Sequence, residues 1–477
     1  MNTSRREALT FELKHIGCIK AGRFTVKPLT LLCGPNNSGK TWAMYSLYGF
    51  LSQSGDIAAS PRSLERLGLS EFVEQVTNQG IAELDLKSWF DSYFDALKSA
   101  SNKYSASRLP DIFRADSGIF ARSEFNWDSD KTALIDSAIQ RPLRGALKLG
   151  KDSKEFLRVE KEANSPMLKL IVLDPEFPDV GRFILDFILR HLLEGTKLHQ
   201  PFLLPAERNG LHLFFRELSN RRTALLHHAS KEKIDLQSLM QDIIRSRYAE
   251  PIADYIDWLN DLTSAKKRKD GPFHALAEDL KKQLVGGRYE VDPLGNISFT
   301  PRKQGRGKEA EAPPKLDLHL TSSTVKSLFG LWFYLEHQAE KGHVLMIDEP
   351  ELNLHPANQR AIARILARLV NAGLNMVIST HSDYLVRELN ALIMLSREHP
   401  ERERLMKLGN YQADELLSPD QVGAYLFDNN TISPMHVEQD EGVIAETFDE
   451  EIVKLNDIGN EIYYTYADAE AKDEADT

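Results

Sequence analysis

The sequence predicts an α/β fold built on a parallel sheet, and three observations carry that expectation. The apolar run Leu29-Thr30-Leu31-Leu32 enters the loop Gly34-Pro35-Asn36-Asn37-Ser38-Gly39-Lys40-Thr41 and leaves it as a helical stretch, WAMYSLYGFL. A second apolar run, Val344-Leu345-Met346-Ile347, ends in Asp348-Glu349. Between it and a third run, NMVIST, the residues Ile362, Ile365, Leu366, Leu369 and Val370 fall on one helical face, so strand, helix and strand follow in the order of a βαβ unit.

The remaining elements fill in around these three. FELKHIG and CIKAGRFTV read as short strands ahead of the loop. Residues from about Ser52 to Leu170 are mixed in charge and mostly helical in pattern. The strand Phe202-Leu203-Leu204 leads into PAERNG, and a polar helical region then runs to about Leu284, interrupted by the basic run Lys266-Lys267-Arg268-Lys269. GGRYEVDPLGNISFT reads as a hairpin turning at Asp292 to Asn296, and Arg302 to Lys315 has the composition of a flexible loop. The tail from about Tyr466 is acidic. These shifts suggest five segments: 1–60 as the first half of a head domain, 61–200 as a mainly helical insertion, 201–285 as a head strand followed by a helical arm, 286–400 as the second half of the head, and 401–477 as a C-terminal extension.

Composition narrows the class. With 42% hydrophobic and 27% charged residues in 477, the chain has material for a sizeable core. A net charge of −11 argues against a uniformly basic nucleic-acid coat. The two cysteines, Cys18 and Cys33, supply no metal-type spacing or disulfide framework, and no apolar run approaches the ~18 residues of a membrane span. The expectation is a cytoplasmic protein with no membrane association.

Residues 34–41 fit G-x-x-x-x-G-K-[ST] between a strand and a helix, the setting in which backbone N–H groups and a helix N-terminus face a phosphate chain. In that setting Lys40 reaches the β- and γ-phosphates and the Thr41 hydroxyl ligates Mg²⁺. Asp348 at the end of a parallel strand sits where such sheets bind ligands, suited to the Mg²⁺ shell, with Glu349 placed to polarise water. His381, after the neighbouring strand, is a candidate γ-phosphate sensor. ATP and Mg²⁺ are the expected ligands.

Together GPNNSGKT, IDEPELNLHP and STHS resemble the ABC-type ATPases of the RecF/SMC/OLD branch, often grouped as AAA family ATPases. The form Asp348, Glu349, Pro350, Glu351, Leu354, His355, Pro356 is typical of OLD-like members, and PAERNG is similar to a segment common in the branch. The resemblance covers roughly residues 8–60 and 200–400 and extends to phage-defence ATPase subunits, those of PARIS (AriA-like) above those of Septu (PtuA). It implies an ABC-type P-loop ATPase head with a central helical insertion and a short C-terminal extension. It further implies a homodimer, or a higher homo-oligomer, in which a signature segment of one protomer caps the ATP of the other. The matching segment is Thr321 to Lys326, with Ser322 and Ser323 toward the nucleotide; it lacks the glycines of LSGGQ, which implies slow turnover. A serine-rich helix start is equally an N-cap. Asn353 and His355 would fall in the segment that crosses between protomers, and Arg208 would contact phosphate or pair with Glu207.

Residues after His381 are fewer than a Toprim domain takes and lack its carboxylate set, so no nuclease is expected in this chain. The favoured function is a sensor or scaffold ATPase of an anti-phage system that holds a separate effector protein, with a phage-encoded trigger. The alternative is a DNA-repair or chromosome-maintenance ATPase that binds DNA directly through the basic runs at 266–269 and 302–308. A transporter subunit fits poorly, because the chain offers no membrane span and the signature lies far from Lys40.

Overall fold

The computed structural model describes residues 8–52, 61–149, 154–173, 180–196, 198–218, 248–265, 271–302, 313–444 and 457–463. Nine strands make the main sheet: β1 (Leu9–Ile16), β2 (Ile19–Val26), β3 (Leu29–Cys33), β4 (Glu124–Asp128), β5 (His199–Leu204), β6 (His343–Asp348), β7 (Asn375–Thr380), β8 (Val422–Asp428) and β9 (Thr431–Met435). Their order is β4-β1-β2-β9-β8-β3-β7-β6-β5. The five strands from β8 to β5 are parallel, while β1, β2 and β4 pair antiparallel as a wing at the other end.

Burial on both faces explains why the parallel strands are continuous apolar runs. Along β6, Val344 and Met346 face one core while Leu345 and Ile347 face the other. The first core is covered by the helix Lys40–Ser52, itself packed under the long helix Leu86–Phe113; the second is covered by the helices Ser323–His337, Pro356–Asn371 and Asp383–Met394. Ile362, Ile365, Leu366, Leu369 and Val370 are all buried against that second face, as their spacing predicts.

Two expectations need correction. The stretch expected to be mainly helical also contains a four-stranded antiparallel sheet, in the order Ile81–Asp85, Met167–Val172, Lys154–Lys161, Leu143–Leu149, and it contributes β4 to the main sheet. The cause is a period of two that the charges obscure: Leu157 and Val159, then Leu168 and Leu170, are buried while their neighbours are not. The segment expected to be an extension supplies β8 and β9, and β8 lies directly beside β3, with Leu426 opposite Cys33. The hairpin at Gly287–Val291 and Ile297–Pro301 forms as read, with Asp292 Oδ1 accepting from the N–H groups of Leu294 and Asn296. The basic run 266–269, residues 303–308 of the second run, and the tail from 464 onward lie outside the described residues.

Gly330, within the helix Ser323–His337, is a test of this packing. A Cβ there would lie 2.2 Å from Tyr255 Oη and 2.8 Å from Leu204 Cδ2, and Tyr255 Oη is fixed by a 2.6 Å hydrogen bond with His212 Nε2. Helix propensity alone favours Ala over Gly by ~1 kcal/mol, but overpacking costs about 1–3 kcal/mol. Gly330→Ala is therefore expected to lower the unfolding free energy in urea by about 1 kcal/mol net, where the same change at an exposed helical glycine would raise it.

Candidate functional site

The loop between β3 and its helix owes its shape to positive φ at three places: Gly34 (140°), Asn37 (62°) and Gly39 (107°). A side chain at Gly34 would meet Phe427 O at 2.3 Å, so strand β8 fixes the glycine from behind. The loop closes on its own lysine. Lys40 Nζ donates to Gly34 O at 2.8 Å and Pro35 O at 2.7 Å, and burial pulls its pKa below the ordinary lysine range while Glu349 and Asp348 oppose that shift. The Ser38 hydroxyl is buried in the same cradle without a partner.

The carboxyl ends of β6 and β7 face this loop, where open α/β sheets bind ligands. Asp348 is 4% exposed; its Oδ2 accepts from Thr41 Oγ1 at 3.0 Å and its Oδ1 accepts from Ser379 Oγ. Ser379 Oγ in turn accepts the Glu349 N–H at 3.0 Å. Glu349 has φ 52°, a left-handed conformation that costs a non-glycine residue roughly 1 kcal/mol or more. Arg208, on the helix at 208–218, holds it there: Nη2 donates to Glu349 O at 2.7 Å and Nη1 to Asp348 O at 2.8 Å. His381 Nδ1 lies 3.4 Å from Glu349 Oε1 and 3.5 Å from Glu351 Oε1.

The structure thus gathers the predicted residues of the loop and of the two strand ends into one place, but not Ser322 and Ser323. Asn36 to Thr41, Asp348 and Glu349 line a cavity of about 300 Å³, with Gly34 and Pro35 beneath and His381 at the Glu349 edge. A hydroxyl and a carboxylate oxygen 3.0 Å apart, with a further orphaned hydroxyl in the loop, suit a small hard cation and its phosphate ligands. Ser322 and Ser323 stand apart from the cavity. Ser322 caps the helix Ser323–His337, accepting the Val325 N–H at 3.3 Å, and both serines are exposed. The start of that helix is fastened to the turn after β6 by Thr324 Oγ1 on Asn353 O and Ser327 Oγ on Leu352 O. His355 caps the next helix through Nδ1.

Arg208 contacts no carboxylate in the way sequence reading allowed. It is 2% exposed and its hydrogen bonds end on the carbonyls of Pro205, Ser327, Asp348 and Glu349. Ser379 and Glu351 went unassigned because each lies inside a motif read for its neighbours. The signal available was a hydroxyl and a carboxylate at the ends of adjacent buried strands.

The Gly34–Thr41 loop at the carboxyl edge of a parallel sheet has the geometry of a phosphate-binding P-loop. The family profile described as an AAA ATPase domain matches residues 216–386, which include Asp348, Glu349 and His381. Among solved structures, the SMC head domain from Thermotoga maritima is similar at 10% identity and a TM-score of 0.30, over 90% of this chain and 98% of that one. An Smc head domain with an extended coiled coil bound to the C-terminal domain of ScpA, derived from Pyrococcus furiosus, gives 11% identity and 0.33 over 93% and 98%. A SmcHead bound to the C-winged helix domain of ScpA gives 12% and 0.30 over 89% and 96%. No curated protein matches the chain. Among the described residues no helix is long and apolar enough to cross a membrane.

Removing the Arg208 guanidinium takes a donor from four buried carbonyls, of which Pro205 O and Glu349 O keep the backbone N–H groups of Arg208 and Leu352, so the loss is well short of four full penalties of ~1–3 kcal/mol. Arg208→Ala is expected to destabilise the fold by about 3 kcal/mol in urea unfolding, and Arg208→Lys to recover less than half of that, because an ammonium cannot span the same fork.

Proposed function

We propose that this chain is the ABC-type ATPase subunit of an anti-phage defence system, hydrolysing ATP as a nucleotide-sandwich dimer that holds or releases a separate effector protein. The observation that carries the ATPase part is the joining of Thr41, Asp348 and Ser379 across three parallel strands beside a loop already shaped for phosphate. Bound Mg²⁺ would be held by Thr41 and Asp348, where it would neutralise charge on the phosphates. Lys40, released from the Gly34 and Pro35 carbonyls, pairs with the β- and γ-phosphates. Glu349 orients the attacking water, and His381 contacts the γ-phosphate on the opposite side of the Glu349 carboxylate. Ser322 and Ser323, exposed at a helix N-terminus fastened to the turn after Glu349, reach the nucleotide of the partner protomer. The missing glycines in that segment make turnover slow.

The defence role and the effector are supported by the resemblance of Asp348 to Pro356 and of the C-terminal segment to phage-defence members.

Lys40→Ala is expected to weaken binding of a fluorescent ATP analogue by more than ~100-fold, and Glu349→Gln to bind normally while losing ~10²-fold or more in hydrolysis. Light scattering should find the Glu349→Gln protein shifted from monomer to dimer by ATP, with Ser322→Arg abolishing the shift. Affinity purification of Glu349→Gln from its host with ATP and nuclease should retain a stoichiometric effector protein. Recovery of nuclease-protected DNA instead would favour direct DNA binding and a repair role.

A further inference from the structure

Glu351 lies two residues beyond Glu349, in the turn after β6, and the chemistry above assigns it no task. Its side chain is 4% exposed. Oε1 accepts the Thr380 hydroxyl at 2.8 Å and the backbone N–H of His381 at 2.9 Å, and stands 3.5 Å from His381 Nδ1. Oε2 is buried and has no partner. Burial accordingly raises this acid above the ordinary carboxylate range. A carboxylate kept only for structure would normally have both oxygens satisfied, and a neutral or apolar side chain would fill the same space at less expense.

The arrangement around His381 supplies a reason to keep it. One ring nitrogen faces two carboxylates: Glu349 from the cavity side, 21% exposed, and Glu351 from the interior. A bond from that nitrogen would draw charge from the Glu349 carboxylate and make it a weaker acceptor for water lined up on a phosphate. A second acceptor behind the ring removes the conflict, and leaves Nε2 as the ring atom for the γ-phosphate. We propose that Glu351 is a positioning residue for ATP hydrolysis, fixing both the backbone and the ring of His381 from the buried side so that Glu349 is left to orient water. The proposal rests on the roles given above to Glu349 and His381.

Steady-state hydrolysis and binding of a fluorescent ATP analogue, measured on Glu351→Ala, Glu351→Asp, Glu351→Gln, His381→Ala and the Glu351→Ala/His381→Ala pair, test it. Glu351→Ala should lower kcat by about 10–100-fold with KM and analogue binding within about threefold of the parent. Glu351→Gln keeps an acceptor at the Oε1 position and should retain at least about a third of kcat, whereas Glu351→Asp withdraws that oxygen and should lose about tenfold. The double variant should be no more than about threefold slower than His381→Ala alone, since both act through one ring. Parental kcat in the Ala or Asp variant, or losses that multiply in the double variant, would overturn the proposal. If Glu351→Ala fails to fold, the Asp variant, which preserves charge and burial, decides the matter alone. Undiminished hydrolysis by Lys40→Ala is a separate result, and it would overturn the ATPase reading itself.

Discussion

Asp348 is the point at which the separate segments of this head become one site. A carboxylate 4% exposed must be satisfied inside the protein, and here its two oxygens take hydroxyls from Thr41 and Ser379 while its carbonyl takes the Arg208 guanidinium. The phosphate loop, the ends of β6 and β7, and the helix at 208–218 are thereby set relative to one another by the needs of a single buried charge. Lys40 completes the balance from across the cavity. Each bond to an ionised group contributes ~1.5–3 kcal/mol, so the site is held more firmly than neutral contacts of the same number would hold it.

The left-handed backbone at Glu349 follows from the same constraint. With Asp348 tied down, the next residue must turn sharply off the strand to face the cavity, and Ser379 on its N–H with Arg208 on its carbonyl keep it there. Conformational energy is stored at the residue given the water-orienting role, which is where strained backbone tends to collect. The turn that follows carries Glu351 beneath His381 and Asn353 against Thr324, so the path from β6 to the serine-rich helix start is short and hydrogen-bonded throughout.

Much of this was legible in the sequence, and the reason is local. Leu29 to Thr41 and Val344 to Glu349 each contain a whole unit of strand and site residue, so period and composition suffice to read them. β8 resisted reading because VGAYLFD carries no motif of its own and its partner β3 lies nearly the full chain away. The four-stranded sheet was hidden by charged residues among its apolar ones, as in KEFLRVEK, where Leu157 and Val159 are buried but so is Lys161. Arg208 was noticed, but nothing in PAERNG reveals that its guanidinium bonds the carbonyls of Asp348 and Glu349, about 140 positions later, rather than the Glu207 carboxylate.

The position of β3 also bears on how the protein is made. The strand that carries the phosphate loop is flanked by β7 and β8, and the Tyr425 hydroxyl accepts the Thr25 N–H across 400 residues of sequence. A ribosome adding ~5–20 residues per second leaves the nascent loop strand without either neighbour for on the order of half a minute. During that time Leu29, Leu31 and Leu32 have no sheet to enter, and their exposed edge is a template for wrong pairing. The loop strand is therefore completed only once β8 has been made, after the wing and the inserted sheet have had time to form, and a chain released before β8 emerges would leave β3 with an unpaired apolar edge.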